Sequence, residues 1–178
     1  MTETTEPRIY VACLASYNAG ELHGVWIDAT QDADDIQAEV DVMLKASPEP
    51  HAEEWAIHDH EGFGGLPIGE NDSFEGVSRL ATLLEEHGAV FAGVVDHFGI
   101  DYLDTAIDCM TDNYQGKWDS LEDWAENWHE DCGTLASMPE DLRCFFDMEQ
   151  WAKDCKLGGD IFTVEIGRKV HVFDSSRN

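Results

Sequence analysis

Lysine and arginine are scarce in this sequence. Only 10 basic residues accompany 38 aspartate and glutamate residues in a chain of 178, which gives a formal net charge of −28 at pH 7. Surfaces that bind nucleic acid are rich in lysine and arginine, because these side chains neutralise phosphates. The composition therefore argues against direct binding of nucleic acid. Repulsion among so many acids destabilises a compact chain, so we expect the charge to serve a function.

The motifs of the common catalytic and metal-binding classes are also missing. The sequence contains no P-loop, no G-x-S-x-G nucleophile motif and no EF-hand calcium loop. His58 and His60 would share one face of a strand, but no second pair of ligands follows at a spacing typical of zinc sites. Cys144 lies beside two phenylalanines, which is more typical of packing than of a nucleophile. We therefore predict a protein that is not an enzyme, with no catalytic residues, no metal and no cofactor.

Long hydrophobic runs and paired cysteines are absent too. No apolar run approaches the ~18 residues of a membrane span, and no secretory signal follows Met1. The five cysteines include no C-x-x-C pair, and their odd number leaves at least one unpaired. We expect reduced thiols, packed in the core of a cytoplasmic protein that contacts no membrane.

The hydrophobic content nevertheless predicts a folded chain. Hydrophobic residues make up 43% of the sequence, including six tryptophans and eight phenylalanines, which argues against disorder. Alternating and helical apolar patterns predict an α+β fold, built as an elongated chain of three small units. The first unit, residues 1–62, is α+β, with strands at 8–16, 24–29 and 55–59 and a helix at 32–46.

Glycine and proline in the segment 62–67 mark the best linker candidate, because these residues punctuate regular structure most strongly. The second unit, residues 63–113, has apolar residues at helical spacing and is predicted to be helical, with helices at 74–84, 89–97 and 102–109. The third unit, residues 114–178, is α+β: a strand or turn at 114–119, a helix at 120–131, a second helix and a terminal hairpin around Gly167-Arg168.

The second helix of this last unit carries the most informative stretch. Ser137 and Glu140 have the spacing of a capping box, Pro139 suits a first helical turn, and Gly158-Gly159 would end the helix. Apolar residues between these signals cover well over half of the helix, more than the narrow stripe of a surface helix. Either the helix is buried in one core, or one of its faces meets a second subunit. We favour the second interpretation, with Phe145, Phe146 and Trp151 in packing and dimer contacts.

The helix predicted at 120–131 separates apolar and acidic residues onto two faces. Leu121, Trp124, Ala125, Trp128 and Cys132 fall on one side. Acids three or four residues apart fall on the other, where like charges cost a helix ~0.2–0.5 kcal/mol per pair. A solvated face explains why these residues are polar, but it does not explain why all have one sign. The acidic face consists of Asp119, Glu122, Asp123, Glu126 and Glu130.

The helix predicted at 32–46 has the same bias, although its first-turn acids are also favoured by the helix dipole. Its acids are Asp32, Asp34, Asp35, Glu39 and Asp41. Negative charge extends over all three predicted units, with net charges of −12, −9 and −7 for 1–62, 63–113 and 114–178. This distribution favours a long acidic surface over one small binding pocket.

Such a surface can imitate the backbone of DNA. B-DNA carries about one negative charge per 1.7 Å of its axis. Helix-borne carboxylates ~5–6 Å apart on neighbouring turns present negative charge at a comparable local spacing. A protein with this surface would compete for the basic groove of a DNA-binding enzyme without any base-specific contacts.

Three segments of the sequence resemble one protein family. Residues 137–154, SMPEDLRCFFDMEQWAKD, resemble the antirestriction motif of the ArdA family of DNA-mimic proteins. Residues 9–26, which include IYVA and YNAGELHGVW, resemble the family's opening, and residues 54–61, EWAIHDHE, resemble the end of its first domain. The matched motif residues are Ser137, Pro139, Glu140, Asp141, Leu142, Arg143, Phe145, Phe146, Asp147, Trp151 and Asp154.

The resemblance implies a curved, elongated homodimer that mimics bent DNA. It implies inhibition of type I restriction-modification enzymes through their methyltransferase core, which protects incoming mobile DNA in the bacterial cytoplasm. By the same resemblance, the motif lies near the dimer interface in the third domain.

Two rival explanations of the acids remain open. One is a halophilic protein whose acids serve solvation, and the other is an acidic regulatory module for a different basic nucleic-acid enzyme. A halophilic protein needs molar salt to fold, whereas a mimic folds at ordinary salt and loses affinity for its partner as salt rises.

Overall fold

The computed structural model describes residues 6–175, and the chain divides into two compact units, Met1–Asp96 and His97–Asn178. Both units combine helices with a small antiparallel sheet, so the predicted α+β class is confirmed. The separation of residues 63–113 as a third unit stays a prediction.

The first unit is built on a sheet with strand order β2-β1-β3. Its elements are β1 (Arg8–Cys13), α1 (Leu14–Asn18), β2 (Gly24–Asp28), α2 (Ala33–Lys45), β3 (Trp55–Glu61) and most of α3 (Phe74–Phe98). Helix α2 packs on β1 and β2, and it buries Ile36 and Val40 completely. At the start of β3, the ring of Trp55 stacks on that of Phe74, the first residue of α3, with centroids 4.3 Å apart. This packing fixes the inner face of α2 and leaves its other face to solvent.

Two local predictions in this unit have different outcomes. Gly88 interrupts α3 with φ 71° and ψ −163°, which confirms two helical segments in place of one. The predicted strand at 8–16 is wrong beyond Cys13, because residues 14–18 form a short helix instead. Ser16 is buried there, and its hydroxyl lies 2.9 Å from that of Ser47. This long-range contact stabilises a turn that local alternation does not predict.

The second unit has a sheet with strand order β4-β6-β5, and helices pack on it. A 3₁₀ turn at Ile100–Tyr102 leads into its elements, which are α4 (Leu103–Asp112), β4 (Tyr114–Trp118), α5 (Leu121–Asp131), α6 (Thr134–Ser137), α7 (Glu140–Arg143), α8 (Met148–Gly158), β5 (Ile161–Ile166) and β6 (Lys169–Asp174). Helices α5 and α8 pack together over a core of Trp124, Ala125, Ala152, Ile161 and Val172. The predicted terminal hairpin is confirmed.

The prediction of one continuous helix from Ser137 to Gly158 is wrong. Ser137 ends α6, and its hydroxyl donates to the carbonyl oxygen of Thr134 rather than capping a following helix. The last helix begins only after Asp147, whose Oδ1 accepts from the backbone N–H of Gln150 at 2.9 Å. Its end is as predicted, because Gly159 adopts φ 82° at the C-cap. The apolar residues of this stretch therefore lie on α7, on α8 and in the turn at 144–147 between them, and do not surround one buried helix.

The cap at Asp147 gives a direct test of this break. Asp147→Ala removes the acceptor of the Gln150 N–H, and we expect it to lower the free energy of unfolding by ~1 kcal/mol. Asp147→Asn retains a side-chain oxygen that caps as well as aspartate does, so it should stay close to wild type. Urea denaturation of the three proteins measures the difference. Equal losses in both variants would show that the charge of Asp147, and not its cap, stabilises the fold.

Candidate protein-binding surface

The acids predicted on α2 all lie on its solvent face. Asp34 and Asp35 occupy the first turn, while the buried residues of α2 point to the sheet. Two of the acids are held by neutral amides: Gln31 Nε2 donates to Glu39 at 2.8 Å, and Gln37 Nε2 donates to Asp41 at 2.9 Å. We call the exposed set Asp32, Asp34, Asp35, Glu39 and Asp41 the α2 row.

The acids predicted on α5 are likewise all exposed. The helix starts at a side-chain cap, since Ser120 Oγ accepts from the N–H of Asp123 at 3.0 Å. Trp124 and Ala125 are buried on the opposite side, which fixes the rotation of the helix. Asp119 pairs with Lys169 of β6. We call the set Asp119, Glu122, Asp123, Glu126 and Glu130 the α5 row.

Sequence reasoning missed a further row of acids on α4. Its members are spaced by three, four and four residues, the same spacing that relates Asp119, Glu122, Glu126 and Glu130 on α5. Leu103, Ala106 and Cys109 are buried on the other side of the helix, so the acids face solvent. The spacing was the signal that could have revealed it. This α4 row consists of Asp101, Asp104, Asp108 and Asp112.

Both units are strongly negative. Residues 1–96 hold 20 acids and three bases, or −17, and residues 97–178 hold 18 acids and seven bases, or −11. Several of the bases form ion pairs with acids of the same unit. These pairs are Arg8–Glu61 and Lys153–Glu149, both at 2.6 Å, Lys156–Glu165 at 4.0 Å, and Lys169–Asp119. Such pairing further reduces the positive charge available on each surface.

The motif residues do not form one buried face. Phe145 is 81% exposed and Leu142 is 52% exposed, contrary to a helix buried all round. Phe146 and Trp151 are half-buried, and both rings pack on His129, at centroid distances of 4.9 and 4.3 Å. The remaining motif residues are exposed: Ser137, Pro139, Glu140, Asp141, Arg143, Asp147 and Asp154.

Arg143 holds the short helices of the motif together. Its Nε donates to the carbonyl oxygen of Met138 at 3.0 Å, and its Nη2 donates to that of Ala136 at 3.1 Å. These bonds connect α7 to the end of α6. Phe145, two residues after Arg143, is exposed to solvent on the segment that these hydrogen bonds hold.

His129 is a buried residue that the sequence analysis did not single out. It is only 2% exposed, and neither ring nitrogen has a hydrogen-bond partner among the described residues. Burial lowers its pKa, because the charged imidazolium is poorly solvated there. His129 follows Ala125 by four residues, so its place on the buried side of α5 follows from helical spacing.

The lowered pKa makes stability depend on pH. Because the folded pKa of His129 lies below the unfolded value, the unfolded chain binds more protons as pH falls below about 6.5. This histidine therefore lowers the free energy of unfolding as pH is reduced from 7 toward 5. We expect His129→Phe to be less sensitive to this pH change and more stable at pH 5, in chemical denaturation followed at several pH values. If the stabilities of the two proteins changed with pH in parallel, His129 would not be the source of this pH dependence.

The histidines and cysteines considered as site residues lie in packing positions or on the surface. His58 packs edge-on against Tyr17 at 4.7 Å, and His60 packs against Phe63 at 5.8 Å. All five cysteines are free. The expectation that they belong to the core is wrong for Cys132 and Cys144, which are exposed.

No three His, Cys, Asp or Glu side chains within residues 6–175 are arranged so that they could hold a metal ion. In the same part of the chain, no helix combines the length and the apolar character that a membrane crossing requires.

These observations define a strongly acidic α+β protein whose helices α2, α4 and α5 display rows of exposed carboxylates. The chain belongs to the antirestriction protein (ArdA) family, whose family model matches residues 9–170, nearly the full length. The resemblance found in the sequence is thereby confirmed. Membership implies an inhibitor that interacts with restriction-modification enzymes rather than an enzyme. No curated protein matches the chain.

Proposed function

We propose that this protein inhibits type I restriction-modification enzymes by occupying their DNA-binding groove with carboxylates in place of phosphates. The inhibitor acts in the bacterial cytoplasm, binds the methyltransferase core of the enzyme and protects incoming mobile DNA. The observation that carries the proposal is the single sign of the exposed α2, α4 and α5 rows.

The geometry of the α5 row supports this mechanism. From Glu122 to Glu130 the helix advances eight residues, or ~12 Å at the helical rise of ~1.5 Å per residue. Three acids of one stripe therefore lie ~6 Å apart, compared with one phosphate per ~3.4 Å of axis on each DNA strand. The helix thus presents a line of negative charges less dense than a DNA strand but of the same sign, which a basic groove that binds phosphates attracts.

The exposed acids lower the stability of their helices, and binding to a basic partner explains why they are present. Like charges three or four residues apart destabilise each helix by ~0.2–0.5 kcal/mol per pair, and no lysine or arginine lies between the acids of any row. Solubility needs a net charge of only about 2–8 in magnitude for a small domain, well below the −28 of this chain. A basic partner removes this repulsion on binding, because its cations come to lie between the carboxylates.

We further propose that the protein acts as a homodimer that forms through the antirestriction motif. Support comes from Leu142 and Phe145, two large apolar side chains exposed on a segment braced by Arg143. Aromatic residues, phenylalanine among them, are enriched at the cores of protein interfaces relative to the rest of the surface.

A cleavage assay tests the proposed function. Unmodified plasmid is incubated with a type I enzyme and increasing amounts of the inhibitor, and cleavage should stop near a stoichiometric ratio of inhibitor to enzyme. A type II endonuclease serves as the control for nonspecific effects of a polyanion. Equal inhibition of both enzymes, or of neither, would contradict the proposal.

A further inference from the structure

A small pocket opens on the second unit beside the core between α5 and α8. Its volume is about 210 Å³, below the ~300–1,000 Å³ of typical sites for drug-sized ligands and cofactors. It is therefore of a size for a side-chain head group rather than for a nucleotide. We call it the tryptophan pocket, and its principal lining residues are Trp124, Trp128, Trp151, Cys155 and Asp160.

Three indole rings form the walls of this pocket. Trp151 stacks on Trp124, with centroids 5.7 Å apart and an interplanar angle of 18°. Trp128 lies 5.0 Å from Trp151 and is tilted by 34°. Trp124 is buried and Trp128 is 37% exposed, so the rings line the pocket from its depth to its opening. Tryptophan is the aromatic residue whose ring face attracts cations most strongly.

The polar groups of the pocket have the sign that complements a cation. Asp160 lies in the lining and its negative charge reaches Cys155, and none of the described lining residues is lysine or arginine. Burial raises the pKa of the Cys155 thiol, and the negative charges of Asp160 and Asp154 raise it further. The contribution of Asp160 and Asp154 shows that both carboxylates lie close enough to make the potential at this side of the pocket negative, which favours a cation.

His129, which packs on the pocket residue Trp151, adds no positive charge beside the pocket. His129 packs against Trp151 with centroids 4.3 Å apart. Burial lowers the pKa of His129, so the imidazole is neutral at pH 7 and adds no positive charge next to the pocket.

We propose that the tryptophan pocket binds the cationic head of a lysine or arginine side chain supplied by the basic partner enzyme. The identity of the partner rests on the proposed function, whereas the preference of the pocket for organic cations does not. The carboxylates of the α2, α4 and α5 rows lie on open helix faces, so they attract any cation and do not select among cations by shape. The pocket adds a shaped contact in which a positively charged head lies against indole faces with a carboxylate beside it.

The first experiment uses small probes on the full-length protein at neutral pH. Nα-acetyl-lysine methylamide and Nα-acetyl-arginine methylamide are titrated while indole N–H signals are followed by NMR, with the norleucine analogue as an uncharged control. We expect saturable shifts with both cations and none with norleucine. Equal binding of norleucine, or shifts that do not saturate, would overturn the proposal, because the site would then be merely apolar or merely acidic.

Matched variants localise the effect. Trp128→Leu should weaken binding of the cationic probes by ~3- to 10-fold, within the range measured for cation–π contacts. Asp160→Asn removes one partly exposed ion pair and should weaken it by up to ~5-fold. Asp131→Asn, an exposed acid outside the pocket lining, makes the same charge change and should leave probe binding as in wild type. A uniform loss in all three variants would overturn the assignment to this pocket.

The partner is tested separately by the ability of the same variants to displace DNA from a type I enzyme. Asp160→Asn and Trp128→Leu should require several-fold more protein for half-displacement than Asp131→Asn. Intact displacement by variants that no longer bind the probes would overturn the enzyme as the source of the cation. Failure of the wild-type protein to displace DNA would refute the proposed function, while the probe titration would still decide the chemistry of the pocket.

Discussion

Glu126→Gln/Glu130→Gln should weaken binding to a type I restriction-modification enzyme by ~5- to 30-fold while making the inhibitor itself more stable. Each exposed charge pair lost at the interface costs up to ~1 kcal/mol, so two lost pairs give this range. The stability gain arises because Glu122, Glu126 and Glu130 are four residues apart and repel each other, at ~0.2–0.5 kcal/mol per pair. Glu130 also lies in the last turn of α5, where the helix dipole disfavours negative charge.

Weaker binding together with higher stability distinguishes the loss of an interface contact from a general loss of folding, which would lower both. Binding is measured by displacement of labelled DNA, and stability by urea denaturation of the free protein. Glu85→Gln/Glu86→Gln, which changes two exposed acids of α3, matches the change in net charge. An equal loss of binding in both double variants would show that only net charge matters. Unchanged binding with increased stability would remove the α5 row from the interface.

The second large effect is expected at Phe145. Phe145→Ser should raise the dimer dissociation constant by ~30-fold or more, because interface hot spots contribute at least ~2 kcal/mol. The fold should lose little stability, since this side chain is 81% exposed in the protomer. Sedimentation velocity over a range of concentrations measures the shift from dimer to monomer.

Leu157→Ser is the matched control for this variant. Leu157 is 84% exposed on α8 but lies outside the matched motif, so its substitution should leave the dimer as in wild type. A wild-type protein that is monomeric at all concentrations would contradict the homodimer. A Phe145→Ser protein that dimerises as tightly as wild type would contradict the proposed location of the interface.

The parts of the fold that sequence predicts best are those in which one local pattern determines the outcome. The acids of α5 face solvent because Trp124 and Ala125 recur at helical spacing and must be buried. The break at Gly88 follows from a residue that adopts a positive φ at low cost. The resemblance to the antirestriction family depends only on the order of residues in three segments, so the sequence is sufficient to reveal it.

The antirestriction motif shows where local patterns compete. Ser137 and Glu140 have capping-box spacing, yet Ser137 bonds to Thr134 of the preceding turn. Asp147 and Gln150 form the cap that is actually used, and the same spacing of three residues could have identified it. Two cap signals of equal local quality occur in one apolar stretch, and tertiary packing decides between them.

The other features that the sequence does not predict depend on contacts between segments distant in the chain. Ser16 forms part of a short helix because it meets Ser47, which lies 31 residues later in the chain. The tryptophan pocket combines residues from β4, α5, α8 and the end of the hairpin. No periodicity within one segment predicts such a meeting, although helical spacing places each tryptophan singly on an apolar face.

The most direct test of the central claim is displacement of labelled DNA from a type I restriction-modification enzyme at ~50 and ~200 mM salt, a range over which phosphate-like contacts weaken strongly. We predict near-stoichiometric displacement at the lower salt and a clear loss at the higher, from a protein that circular dichroism shows to be folded at both. Absence of displacement at either salt by the folded protein would contradict DNA mimicry of this enzyme class. A protein that folds only in molar salt would instead assign the acids to halophilic solvation.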